Sequence, residues 1–212
     1  MEGPLRKSFH DSMVEIDANV EQLFALVIEG LAGATETLLS GDRDTAREIK
    51  ARDKVIDALN AEIGESAERT LLLQAPVASD LHFLLSVLRI VPELERSGDL
   101  AEHIAQRANL ALAADLTPAL RGQIEQMGRL GVEMWRAAAD AYHERDASAA
   151  ERIDAMDDQL DDLHDRVSAA LLDEAVPRKA ALEMALVARF YERLGDHAVH
   201  ISERLGNLGG RS

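Results

Sequence analysis

Cysteine is missing from all 212 residues. That one absence removes disulfides, thiolate zinc sites, iron–sulfur clusters and cysteine nucleophiles together, and it fits a reducing compartment. Aromatic residues make up 3% of the chain and prolines number 5. With no sustained polar–apolar alternation either, the sequence does not read as a sheet protein. Positive charge is scarce: 23 Lys and Arg stand against 39 Asp and Glu, a formal net charge of -16. So acidic a chain lacks the electrostatic footprint that phosphate backbones or anionic lipids require, and neither nucleic-acid binding nor membrane insertion is expected. Long apolar runs are missing as well. Leu23 to Ile28 and Leu71 to Leu73 fall far short of the ~18 residues of a membrane span. The opening MEGPLRKSFHDSMVEI has no apolar centre and no cleavage signature, so no signal peptide is expected. These absences together predict a soluble cytoplasmic protein.

What the chain does contain is helix-forming material. Hydrophobic residues are 47% and charged residues 29%, with Ala, Leu, Glu, Asp and Arg dominant, the mixture expected of long helices. Periodicity near 3.6 residues predicts six of them. The first runs roughly from Lys7 to Ser40, its apolar stripe made by Val20, Leu23, Val27, Leu31, Ala34 and Leu38. The second runs from about Asp44 to Leu73, with Ile49, Ile56, Leu59 and Ile63 on one face. The third runs from about Val77 to Ala113, with a kink predicted at Pro92, which removes a backbone donor and clashes with the preceding turn. The fourth spans about Pro118 to Glu144, capped by Thr117 with Pro118 in its first turn. The fifth spans about Ala147 to Glu174 and the sixth about Pro177 to Leu205, where Gly206, Gly209 and Gly210 end the order. Helices this long joined by turns this short pack antiparallel, in bundles.

An internal repeat sets the architecture. Asp42, Ala46, Ile49, Asp53, Ile56, Asp57 and Leu59 recur as Asp146, Ala150, Ile153, Asp157, Leu160, Asp161 and Leu163. Farther along, Glu95, Arg96, Gly98, Asp99, Ala101, His103 and Ile104 recur as Glu192, Arg193, Gly195, Asp196, Ala198, His200 and Ile201. The fold class is therefore all-α, two pseudo-symmetric three-helix bundles, with the first repeat at 1–114 and the second at 115–212.

The repeat carries four carboxylate pairs: Asp53/Asp57, Glu95/Asp99, Asp157/Asp161 and Glu192/Asp196. Each pair is spaced i, i+4, so both groups lie on one helix face, where like charges repel by a few tenths of a kcal/mol. Asp53 and Glu95 sit at the edge of their apolar stripes, so the second and third helices of a unit gather four carboxylates at a bundle flank. Without a cation that gathering raises pKa values or pushes the helices apart. Hard oxygen donors suit Mg or Mn, and carboxylate clusters also hold Fe or Zn. His103 and His200 extend the rows by one further step and are possible additional nitrogen ligands. The competing reading is a solvated acidic face on a metal-free helical adaptor. A carboxylate-bridged di-metal enzyme of the ferritin-like kind needs Glu-x-x-His pairs, and none occurs; Asp161 with His164 is a near match. No activated nucleophile or phosphate-cradling glycine loop stands out, so no catalytic residue is assigned. Gly98 and Gly195 lie inside helices, where glycine costs about 1 kcal/mol relative to alanine, and this predicts close approach of another helix. Trp135, Tyr142, Phe190 and Tyr191 read as core fillers, and Arg96 and Arg193 as partners of nearby carboxylates.

Glu95 to Ala101 and Ala188 to Ala198 resemble the paired ER-x-G-D-x-A signatures of the PhoU family. Pro76, Ala78, Asp80 and Leu81 match its P-x-A-x-D-L-R segment, and Asp53 to Leu59 its second-helix motif. The resemblance covers essentially the whole chain, with the repeats in order. It implies cytoplasmic accessory proteins of the high-affinity phosphate transporter, commonly dimers, with metal ions on E/D-x-x-x-D motifs that correspond to the four pairs. It also implies negative regulation of phosphate uptake, linking the ABC transporter's ATPase subunit to the phosphate-sensing histidine kinase. The sequence departs from the family pattern at His82, where arginine is usual, and at His200, where asparagine is common. The second repeat, at Pro177 to Glu183, lacks the D-L-R element.

Overall fold

The computed structural model describes residues 4–172 and 176–205, with side chains from Ser8 onward. Six α-helices follow one another: α1 (Pro4–Ser40), α2 (Arg43–Gln74), α3 (Ala78–Gln106), α4 (Pro118–Glu144), α5 (Ala149–Leu171) and α6 (Arg178–Leu205). No strand occurs among the described residues. Two helix starts follow from local chemistry, the one at Thr117 as expected. The Asp42 side chain accepts from the amides of Asp44 at 2.9 Å and Thr45 at 3.3 Å, capping α2. The Thr117 hydroxyl accepts from the amide of Leu120 at 3.2 Å, with Pro118 opening α4. Each such cap satisfies a donor that the helix itself cannot.

The third helix departs from expectation at its end and not at Pro92, which it passes through with the flanking Val91, Glu93 and Leu94 all buried. It then stops at Gln106 rather than Ala113, and the chain continues as two 3-10 turns, Arg107–Leu110 and Leu112–Asp115. Ala111, between them, has φ of 52°, a left-handed conformation no α-helix accommodates. Tertiary contacts favour this corner over continued helix. Arg107 pairs with Glu183 at 3.1 Å and lies 4.7 Å over the Phe190 ring, both on α6. The fifth helix starts at Ala149, two residues late, because the Asp146 carboxylate holds the amide and hydroxyl of Ser148 in a turn ahead of it. Its expected end at Glu174 and the terminal glycines lie outside the described residues.

The helices pack as two groups, α1–α3 and α4–α6, which meet where α1 lies on α4 and α3 on α6. The α1 stripe is the spine of the first group: Val20, Leu23, Val27, Leu31 and Ala34 are fully buried. Such side chains contribute about 1.5–3 kcal/mol each on burial. By length and composition α1 is also apolar enough to cross a membrane, although no unbroken apolar run in it is long; its apolar stripe lies in the core here. Within the second group, Trp135 Nε1 donates to the Leu194 carbonyl at 3.1 Å, and between the groups the Tyr191 hydroxyl meets that of Thr35 at 2.8 Å. Tyr142 donates to Asp17 at 2.7 Å. Trp135, Tyr142 and Tyr191 are core residues, as expected, and Phe190 packs at the core's edge.

Candidate metal-binding carboxylates

On α2, Ile49, Ile56, Leu59 and Ile63 face the core. Asp53, one turn from Ile49 and from Ile56, is carried to the edge of that buried line, while Asp57 one turn later is exposed. On α3, Glu95 and Asp99 are half-buried. The second group repeats the pattern: Asp157, Glu192 and Asp196 half-buried, Asp161 exposed at the rim.

The electrostatics show that the pairs meet across helices. Burial pushes the Asp53 carboxyl from its ordinary 3.8 up to about 6, and the charges of Asp99, Asp57, Glu102 and Glu95 push the same way. Glu95 and Asp99 are raised by burial and then by their carboxylate neighbours, with His103 pulling Asp99 back. In the second group burial lifts Asp157 to about 7, reinforced by Asp161, Asp196 and Glu192. Asp161 and Glu192 are raised as well, burial first and Asp196 next. Four acidic groups from two helices thus press on one another in each half.

Among the described residues, three carboxylate oxygens are also buried without any hydrogen-bond donor: Oδ1 of Asp53, Oδ1 of Asp157 and Oε2 of Glu192. An orphaned buried acceptor costs about 1–3 kcal/mol. A cation would satisfy these oxygens and screen their mutual repulsion, and the donor set fits a hard divalent ion. The two glycines make room for them. A Cβ added to Gly98 would stand 2.8 Å from Ile56 Cδ1 and 3.6 Å from Asp53 Oδ1. One added to Gly195 would collide with Asp157 Oδ1. The close approach expected at these positions is real: at Gly98 it is made by Ile56, with Asp53 in ordinary contact beside it, and at Gly195 by the Asp157 carboxylate with Leu160.

The imidazoles divide differently from the sequence reading. His103 stays with the first set, where Asp99 feels its charge, its ring 5.6 Å from that of Phe190. In the second set the imidazole felt by Asp161 and Glu192 is His164, from α5. His200 lies instead beside His197, ring centroids 6.4 Å apart, in a group with Glu93 from α3. Arg96 pairs with Glu93 at 3.5 Å, not with Glu95 or Asp99. Glu93 and His197 were not singled out from sequence. His197-x-x-His200 was the available signal, but nothing in the sequence places α3 against α6. A separate groove of about 590 Å³ between α1 and α4 touches neither set; Arg121, Arg129 and Arg136 alternate there with Glu36, Glu125 and Glu133.

Comparison with known proteins places this architecture. The model of the PhoU domain family matches residues 20–108 and again 124–205. The Mycobacterium tuberculosis phosphate-specific transport system accessory protein PhoU homolog 2 is 32% identical over 204 residues, covering 95% of this chain and 96% of its own. The Caulobacter vibrioides PhoU homolog is 31% identical over 93% of this chain and 87% of its own. Among solved structures, PhoU from Pseudomonas aeruginosa superposes with a TM-score of 0.86 at 26% identity, covering 93% of this chain and 96% of that one. The phosphate transport system regulatory protein PhoU from Streptococcus pneumoniae gives 0.83 at 27%, covering 95% and 97%.

Proposed function

Because the chain belongs to the PhoU family, we propose that it is an accessory regulator of phosphate transport, acting by binding rather than by catalysis. In this reading it holds down phosphate uptake and the phosphate-starvation response when phosphate is plentiful. It does so as a cytoplasmic homodimer that couples the ATPase subunit of the phosphate ABC transporter to the phosphate-sensing histidine kinase. The observation that carries the reading is the match of both repeats, at 20–108 and 124–205, to one family model. Relatives named as accessory proteins of phosphate-specific transport, matched over nearly their whole length, support it further.

Metal ions complete the proposal. Asp53, Asp57, Glu95 and Asp99 would hold the first set, with His103 beside them. Asp157, Asp161, Glu192 and Asp196 would hold the second, with His164 nearby. Mg, Mn, Fe and Zn are all compatible with such donors. The ion supplies charge neutralisation and cross-linking here: it turns repulsion between α2 and α3, and between α5 and α6, into shared coordination. The second set is the stronger one, since two of its buried oxygens lack a donor against one in the first.

Deleting the gene tests the regulatory role. The expected result is a phosphate-starvation response that stays on in phosphate-rich medium and is switched off again by the complementing gene. Normal repression in the deletion strain, with no second homologue present, overturns it.

A further inference from the structure

A different group of ligand-type side chains gathers where the two halves meet. Glu93 lies on α3, in the first half; His197 and His200 lie on α6, in the second. Each offers a ligand atom, and the three atoms lie within 4.8 Å of one another. Glu93 and His197 are each about nine-tenths buried, with side chains 9% exposed, whereas His200 is exposed. Glu93 Oε2 is 2.6 Å from His197 Nδ1. The other ring nitrogen of His197, Nε2, is buried with no hydrogen-bond partner. Glu93 and His197 Nδ1 already face each other, so an ion bound by both takes Nδ1 in place of this hydrogen bond, and the idle Nε2 leaves the ring uncommitted elsewhere and free to shift toward it.

We propose that Glu93, His197 and His200 bind one divalent transition-metal ion of the zinc class, clamping α3 of the first half to α6 of the second. Two imidazoles and one carboxylate are a donor set that suits zinc and leaves a coordination position open, whereas Mg or Mn prefers the all-oxygen sets. Ligands of one tetrahedral ion stand closer together than 4.8 Å, and the exposed His200 is the member free to swing in. Two cations compete for Glu93: Arg96 and Arg204 each stand 3.5 Å from its carboxylate. Their side chains are 55% and 30% exposed, so both can withdraw into water when the ion takes their place. The site therefore depends on no residue of the carboxylate sets, and it does not rest on the regulatory reading above.

The test is titration of the chelator-stripped full chain with Co²⁺, followed by competition with Zn²⁺. To remove the hard sites, it is done in the Asp53→Asn, Asp99→Asn, Asp157→Asn, Asp196→Asn protein. About one equivalent of Co²⁺ should bind with the visible absorption of a low-symmetry nitrogen–oxygen site, and Zn²⁺ should displace it. Adding His200→Asn, a change at an exposed position, should weaken binding by at least about tenfold. Equal Co²⁺ affinity with and without His200, or no Co²⁺ binding once the four aspartates are gone, overturns the proposal. Should the fourfold variant not fold, zinc-edge X-ray absorption of the wild-type chain gives the same discrimination. Imidazole scattering should be present and should diminish in His200→Asn, and an all-oxygen shell overturns the site.

Discussion

Asp157 and Gly195 carry the most information per residue. The carboxylate is lifted to about 7, and the glycine opposite has no side chain because Asp157 occupies the space one would take. Alanine inside a helix normally gains about 1 kcal/mol over glycine, and Gly64→Ala should do so, since nothing lies within 4 Å of the added Cβ. Gly195→Ala should instead destabilise, by about 1–3 kcal/mol, as overpacking does. Thermal melts of the two variants compare the signs directly. The raised carboxylates also fix a pH dependence. Without metal, and between the ordinary carboxylate range and about 7, folded chains hold protons at Asp53 and Asp157 that unfolded chains have released. Stability therefore falls as pH rises through that window and returns on acidification. Both groups are partly solvated, so the effect is only about 1 kcal/mol each. Chelator-treated protein should melt higher at pH 5 than at pH 8, and Asp53→Asn with Asp157→Asn should flatten the difference. The pairing of carboxylates was legible at this scale from the i, i+4 spacing. The identity of the approaching group at Gly98 and Gly195 was not, because it lies on another helix.

Helices were legible wherever local chemistry decides them. Thr117 announces a cap, and the apolar stripes of α1 and α2 announce their buried faces. Thr117→Ala should cost about 1 kcal/mol, or some 2–4 °C in melting temperature for a chain of this size, with the helix content otherwise unchanged by circular dichroism. Where the sequence misleads, a tertiary contact has outweighed propensity. Residues 107 to 113 are rich in alanine and leucine and continue the helical pattern, yet they form 3-10 turns because Arg107 is drawn to Glu183 and Phe190. Pro92 removes a hydrogen bond without ending α3, whose neighbouring residues are already fixed in the core.

For the molecule as a whole, the repeat is what made the architecture readable: two copies of one three-helix unit, each with its own acidic flank. What the repeat conceals is how the copies differ. Glu93, His197 and His200 form an inter-half group with no twin, since the positions matching Glu93 and His197 are Phe190 and Leu100. His164 serves the second acidic set from a helix whose counterpart supplies none. Such pairings depend on which helices meet, and a single sequence does not state that. The central claim remains that each acidic flank holds an ion. It is tested most directly by the melting temperature of the chelator-stripped chain as Mn²⁺ is added, in wild type, in Asp53→Asn/Asp99→Asn and in Asp157→Asn/Asp196→Asn. The predicted result is a rise that grows with free metal as mass action requires, reduced in each double variant and absent when the two are combined. A wild-type melting temperature that stays fixed as Mn²⁺ is added would contradict it, leaving the eight carboxylates as a solvated acidic face.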